Sequence, residues 1–157
     1  TRAALSTFAV FLQAKGDLDE AQALFERLLR ATEESCGKDH PDVLAPVNQL
    51  AGLLLDQGDM KAALPLFRRA LKIDEAVLGA NHPDTLAAAV NLATLIEATG
   101  DHEEALPLYE RVLRGREQTL GPAHPDTVEA AKGLHSVLAE MGVAEGVAML
   151  ESKYDLV

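Results

Sequence analysis

A period of 42 residues runs through the whole chain and leaves few folds open to it. His40-Pro41-Asp42 recurs as His82-Pro83-Asp84 and as His124-Pro125-Asp126, and Gly16, Gly58, Gly100 and Gly142 keep the same step. Apolar columns follow, with Leu24, Leu66, Leu108 and Leu150 in one and Phe8, Leu50, Leu92 and Leu134 in another. Self-similarity at this spacing marks a stacked array, in which each unit is one small motif that buries its apolar face against its neighbours. Four units result, residues 1–42, 43–84, 85–126 and 127–157, the last truncated or capping, and together they predict a single solenoid domain.

Each unit divides into two amphipathic segments. In Val43 to Gln57 the residues Val47, Leu50, Ala51 and Leu54 make the stripe of one helix, designated A. Ala63, Leu66, Phe67, Ala70 and Leu71 make a second, designated B, and Ala105, Leu108, Tyr109, Val112 and Leu113 repeat it. Gly-Asp lies between A and B in the first three units, Gly suiting a left-handed helix end and Asp an N-cap. Asp17 with Glu20 and Asp101 with Glu104 have capping-box spacing, whereas Asp59 meets Ala62 and lacks that half. Pro41, Pro83 and Pro125 suit the first turn of helix A, each beside an Asp that favours the positive helix end; the cap is either the His or the residue before it. Pro65 and Pro107 fall about six residues into helix B and predict a bend without a break. Gly115, Gly133 and Gly146 each cost roughly 1 kcal/mol against Ala, which predicts weaker third and fourth units. The expected fold is all-α, eight helices in four antiparallel hairpins.

Composition narrows the function. Of the 157 residues 48% are hydrophobic, enough for a buried core, but only 4% are aromatic and none is Trp, so Leu, Val and Ala must do the packing. A net charge of -11 argues against nucleic acid and against an anionic membrane surface, both of which need clustered cations, and leaves protein partners. No apolar run approaches the roughly 20 residues of a membrane span, and the first residues do not read as a signal segment, although Thr1 is no initiator and an upstream region stays open. The one cysteine, Cys36, fits a reducing, intracellular and cytoplasmic setting. Its equivalents Leu78 and Leu120 read as an apolar packing position.

No phosphate cradle, dinucleotide turn or nucleophile elbow is present. His102-Glu103 opens like a zinc-protease helix, but Leu106 stands where the second His must be. His40, His82 and His124 come one per repeat, too far apart along the array for one ion, so they read as loop caps. Cys36 and His40 offer two ligands at most. The acidic pairs Glu33-Glu34, Asp74-Glu75 and Glu103-Glu104 share helix B with Arg27, Arg30, Arg68, Arg69, Lys72, Arg111 and Arg114, which reads as a solvated face with i,i+4 pairs. Neither enzyme activity nor a cofactor or metal is expected.

Taken together, Asn91-Leu92-Ala93, Gly100-Asp101, the run Glu104 to Arg111, Leu120-Gly121 and His124 to Thr127 resemble the 42-residue tetratricopeptide repeats of kinesin light chains and nephrocystin-3-like proteins. The resemblance covers essentially the whole chain. It implies a right-handed α-solenoid whose concave groove, lined by A helices, takes a peptide or partner helix. The groove positions it implies are Asn48, Gln49, Gly52, Leu55 and Asp56 in the second unit and Val90, Asn91, Thr94 and Glu97 in the third. Glu129, Lys132, Ser136 and Glu140 continue them in the fourth, and Ser6, Thr7, Val10 and Gln13 in the first.

Lys132 is the one cation of that row, too few for the clamp that grips an acidic C-terminal carboxylate, whereas the amides suit an extended peptide backbone. The expected role is a non-catalytic scaffold or adapter. The alternatives are a self-associating segment of a longer solenoid, joined through its uncapped first helix, and the regulatory arm of a larger protein. In the fourth unit the Ala column 9, 51, 93 becomes His135 and the aromatic column 25, 67, 109 becomes Glu151, which reads as a polar cap near the C-terminus. Asp155-Leu156-Val157 has the acidic-x-apolar form that some PDZ domains accept, a pattern too short to carry weight.

Overall fold

A computed structural model of the protein describes residues 1–156; Val157, on which the PDZ-type reading depends, lies outside the described residues. Among the described residues there are eight α-helices and no strand. They are α1 (Arg2–Lys15), α2 (Leu18–Cys36), α3 (Leu44–Asp56), α4 (Met60–Leu78), α5 (Pro83–Ala98), α6 (His102–Leu120), α7 (Pro125–Glu140) and α8 (Ala144–Tyr154). Odd-numbered helices are A and even-numbered helices are B, four hairpins of the solenoid class. The chain forms two compact units, Thr1–Val77 and the residues from Leu78 on. In the first, α1 packs on α2 and α2 on α3, with Ala9, Ala21, Phe25, Val43, Val47, Ala51 and Leu53 fully buried. In the second, α5 packs on α6, α6 on α7 and α7 on α8, around Ala89, Ala93, Ala105, Val112, Ala131 and Val137. Buried alanines let helix axes approach closely, which explains how so few aromatic residues suffice.

The His-Pro-Asp motif is an N-cap. His40, His82 and His124 are extended, and each Nδ1 accepts the amide hydrogen of the Asp two residues on at 3.2 Å. That acceptance requires an Nδ1 without a proton, so the ring hydrogen sits on Nε2. Pro83 and Pro125 start α5 and α7 as expected, but Pro41–Val43 forms a 3-10 turn and α3 begins only at Leu44. Pro46 is the reason. Its nitrogen has no hydrogen for the Asp42 carbonyl and its ring crowds that oxygen, whereas Ala88 and Ala130 occupy the same place in α5 and α7.

Another local expectation needs correction. Asp17 makes no side-chain cap, because Lys15 Nζ holds its carboxylate at 2.6 Å. Asp59, in contrast, caps Ala62 N at 3.0 Å, as Asp101 caps Glu104 N at 3.1 Å. Gly100 closes α5 at φ 85, the left-handed region its column was expected to supply. A second glycine column, 37, 79 and 121, ends helix B, and Gly121 adopts φ 87 with ψ 163, a region essentially reserved for glycine. Helices α4 and α6 run unbroken through Pro65 and Pro107.

Phe8 is 52% exposed although Leu50, Leu92 and Leu134 in its column are buried. Leu50 belongs to α3, which packs against α2 of the preceding hairpin, whereas α1 packs against α2 of its own hairpin. Leu78 and Leu120 are 41% and 43% exposed, so the Cys36 column lies at the rim of the packing and not inside it. Gly133 is a packing requirement, since a Cβ there would lie 2.5 Å from Tyr109 Cε1.

Candidate functional site

On the helix B face several charged groups make bonds between helices, alongside an i,i+4 bond from Gln22 to Glu26 within α2. Arg69 on α4 reaches Glu33 on α2 at 2.5 Å and also the Lys38 carbonyl. One column later Arg111 on α6 reaches the Ala80 carbonyl at 3.3 Å, and two columns later Lys153 on α8 reaches Glu117 on α6 at 2.6 Å. Tyr154 donates to the same Glu117 oxygen. The hydrogen bond from Lys153, and then that from Tyr154, holds the Glu117 carboxyl below its ordinary value, and Glu117 in turn raises Lys153. A cation at positions 69, 111 and 153 therefore stitches α4, α6 and α8 each to what precedes it.

The A helices present a different surface. In the first unit α1 and α3 are joined through polar side chains 43 residues apart. Gln49 donates through Nε2 to Ser6 Oγ at 2.9 Å, and Gln13 donates to Asp56 Oδ2 at 2.6 Å. Ser6 and Gln49 line a cleft of about 270 Å³ with Arg2, Ala3, Leu28, Thr32, Asp42, Ala45 and Pro46. Asn48 is exposed, and its amide makes no side-chain hydrogen bond among the described residues. A Cβ at Gly52 would meet nothing within 4 Å. Leu55 and Val10 are 37% and 46% exposed on the same helices.

In the second unit the row converges on Glu97. Tyr109 on α6 donates its hydroxyl to Glu97 Oε2 at 2.7 Å, and Ser136 on α7 donates to Oε1 at 2.9 Å. Thr94 Oγ1 lies 3.1 Å from the Tyr109 hydroxyl; because the tyrosine has one proton and spends it on the carboxylate, Thr94 is the donor there. Burial first, with Glu97 adding to it against the opposing bond from Thr94, pushes Tyr109 up to about 12, so it stays a donor at neutral pH. Asn91 is exposed with an unengaged amide, and Val90 is half-buried. Lys132 is exposed and lies 3.9 Å from Glu129 one turn away, so the single cation of the row already has a carboxylate neighbour. Asn48 and Asn91 belong to different units.

Two features escaped the sequence reading. Tyr109 stood there as core, yet its hydroxyl organises the row. Along the sequence His135 and Glu151 are two separate polar changes, but His135 Nε2 lies 3.1 Å from Glu151 Oε1, one pair replacing an Ala and aromatic contact. Cys36, His40 and Asp42 hold donor atoms within 4.8 Å of one another. Local geometry accounts for that grouping: Cys36 Sγ bonds the Thr32 carbonyl at 3.1 Å and His40 caps Asp42.

The model of the tetratricopeptide repeat matches residues 1–75, 42–118 and 84–142, overlapping blocks that leave little of the chain out. The chain belongs to the tetratricopeptide repeat family. The tetratricopeptide fold extends to solved structures. A Podosopora anserina protein assigned as a kinesin light chain, with nearly identical TPR-like repeats, is 28% identical at a TM-score of 0.76, covering 96% of this chain and 72% of that one. BtubC (BKLC) from P. vanneervenii is 21% identical at a TM-score of 0.73, covering 96% of this chain and 59% of its own. MamA from Desulfovibrio magneticus RS-1 is 18% identical at a TM-score of 0.67, covering 98% and 73%. The last two share the fold alone. No curated protein sequence matches the chain. Tetratricopeptide repeats are in general protein-interaction scaffolds, and among the described residues no helix is long and apolar enough to cross a membrane.

Proposed function

We propose that this tetratricopeptide chain is a non-catalytic adapter whose A-helix faces take an extended peptide or a partner helix. The observation that carries the reading is a division of labour between the two helix sets. Arg69 and Lys153 on helix B are engaged in bonds between helices, while Asn48 and Asn91 on the A helices face solvent with unengaged amides. Each such amide offers two donors and an acceptor to a passing backbone, and Val90 and Leu55 add apolar contact. The row is poor in positive charge, which disfavours an acidic C-terminal carboxylate as ligand. Its setting on this reading is the reducing interior of the cell. The test pans a phage-displayed library of random 12-residue peptides on the wild-type chain and on Asn48→Ala/Asn91→Ala. Peptides selected by the first and lost by the second support the reading; identical selections by both remove these faces from consideration.

A second reading has its own observation. Phe8 and Phe11 stack at 6.4 Å on α1 and are 52% and 60% exposed, an aromatic pair suited to association between copies. Sedimentation at rising concentration distinguishes it: mass that grows with concentration in the wild type and not in Phe8→Ser/Phe11→Ser supports self-association, and an unchanging monomer rejects it.

A further inference from the structure

Glu97 and Tyr109 form a pair that packing does not require. The aromatic column reads Phe25, Phe67, Tyr109, and the column twelve residues before it reads Gln13, Leu55, Glu97. Phenylalanine therefore fills this hole in two repeats of the same chain, and a hydroxyl enters only in the repeat that also carries a carboxylate. A half-buried carboxylate and a buried phenol each cost desolvation that Phe and Leu avoid, so their joint presence calls for a role other than folding.

We propose that Glu97 is a prepared receptor for a cationic side chain, arginine above lysine, on the peptide that the A-helix face of the second compact unit, from Leu78 on, binds; this rests on the adapter reading. An ionised carboxylate has about four lone-pair positions on its two oxygens. Tyr109 occupies one on Oε2 and Ser136 one on Oε1, so each oxygen keeps capacity for a further donor. The donors come from α6 and α7, fixing the carboxylate from two helices before any partner arrives, so less freedom is lost on binding. A planar guanidinium donates to both oxygens at once, which an ammonium does not. Charge complementarity extends beyond the single residue: Glu129 already has Lys132 beside it, but Glu140 lies one turn beyond Ser136 on α7 and the chain carries a net charge of -11.

The same peptide library is panned on the full chain and on Glu97→Gln and Tyr109→Phe, the latter repeating the residue found in the other columns. Wild-type selections should share an arginine at one position. Binding of a selected peptide, read by fluorescence anisotropy, should weaken on the order of tenfold in Glu97→Gln and less in Tyr109→Phe. Replacing the peptide arginine by alanine should cost the same, with no additional loss on Glu97→Gln, a coupling that a purely structural role for Glu97 does not produce. Selected peptides without a shared cation, or binding by Glu97→Gln within twofold of wild type, overturn the proposal and leave the adapter reading standing. No selected peptide at all overturns both.

Discussion

Gly133→Ala exchanges a poor helix former for the best one, and on an open helix face that stabilises by about 1 kcal/mol. Here the face is closed. The new Cβ would lie 2.5 Å from Tyr109 Cε1, 2.9 Å from Cδ1 and 3.1 Å from Cζ, where ordinary contact begins at 3.4 Å, so the ring must withdraw by roughly 0.9 Å. Tyr109 is only 4% exposed, and Thr94 and Glu97 hold its hydroxyl at 3.1 and 2.7 Å, so it has no free end to swing aside. Overpacking of this kind costs about 1 to 3 kcal/mol, and weakening the bond to a carboxylate adds to that, up to about 1.5 to 3 kcal/mol if it is lost. Set against the propensity gain, a net destabilisation of roughly 1 to 3 kcal/mol is expected. Urea unfolding followed by circular dichroism measures it, with amide exchange along α7 as a local check, since repeat arrays do not always unfold in one step. In a Tyr109→Leu background the same exchange should turn neutral or favourable. Gly146→Ala is the control: its Cβ would meet Leu138 Cδ1 at 2.9 Å, a terminal methyl that can rotate, with Leu138 Cδ2 and Val143 Cγ1 at an ordinary 3.5 Å, so it should change stability little. A Gly133→Ala chain stabilised by about 1 kcal/mol would refute the packing argument.

Three further outcomes are expected. His82→Ala and His124→Ala should each destabilise by about 1 kcal/mol in thermal unfolding, and Asn at either position should restore most of the loss, because its oxygen accepts the same amide hydrogen. Absorbance at 295 nm should show neither of the two tyrosines ionising at the ordinary 10.0, with Tyr109 titrating near 12. A raised folded value means that the stabilisation is complete below pH 10 and fades as pH rises toward 12; Tyr109→Phe should lose this alkaline limb, and an unchanged titration would contradict the burial of its hydroxyl. Glu117 runs the other way. Its folded value lies below 4.5, so the anchorage of α8 holds above that pH and loosens as acid protonates the carboxylate, visible as faster amide exchange in residues 144–154 that Glu117→Gln already shows at neutral pH.

The helices, their order and the glycine turns were legible because each is written locally and written more than once: a cap, a stripe and a stop, repeated every 42 residues. Pro46 was equally local, and its effect on the start of α3 follows once its missing hydrogen is matched to the Asp42 carbonyl. What stayed hidden lies between columns. Arg69 with Glu33, and Lys153 with Glu117, sit 36 residues apart, a separation that matches neither the repeat nor a helical turn and appears only when neighbouring B helices are laid side by side.

The polar row on the A helices was legible as a set of positions and not as a set of bonds. Residues one repeat apart become neighbours across helices, so Ser6 finds Gln49 and Gln13 finds Asp56, and the identity of each depends on the other. The same logic holds within a hairpin. Ala139 and Glu151 stand in the fourth repeat where Glu97 and Tyr109 stand in the third, and His135 has come in to meet Glu151. A carboxylate near this hairpin seam thus has a partner in both repeats, from Tyr109 and Ser136 in one and from His135 in the other. The difference is that Glu151 sits on helix B and answers a histidine of its own hairpin, whereas Glu97 sits on helix A, where donors from two other helices aim it and each oxygen keeps room for one more.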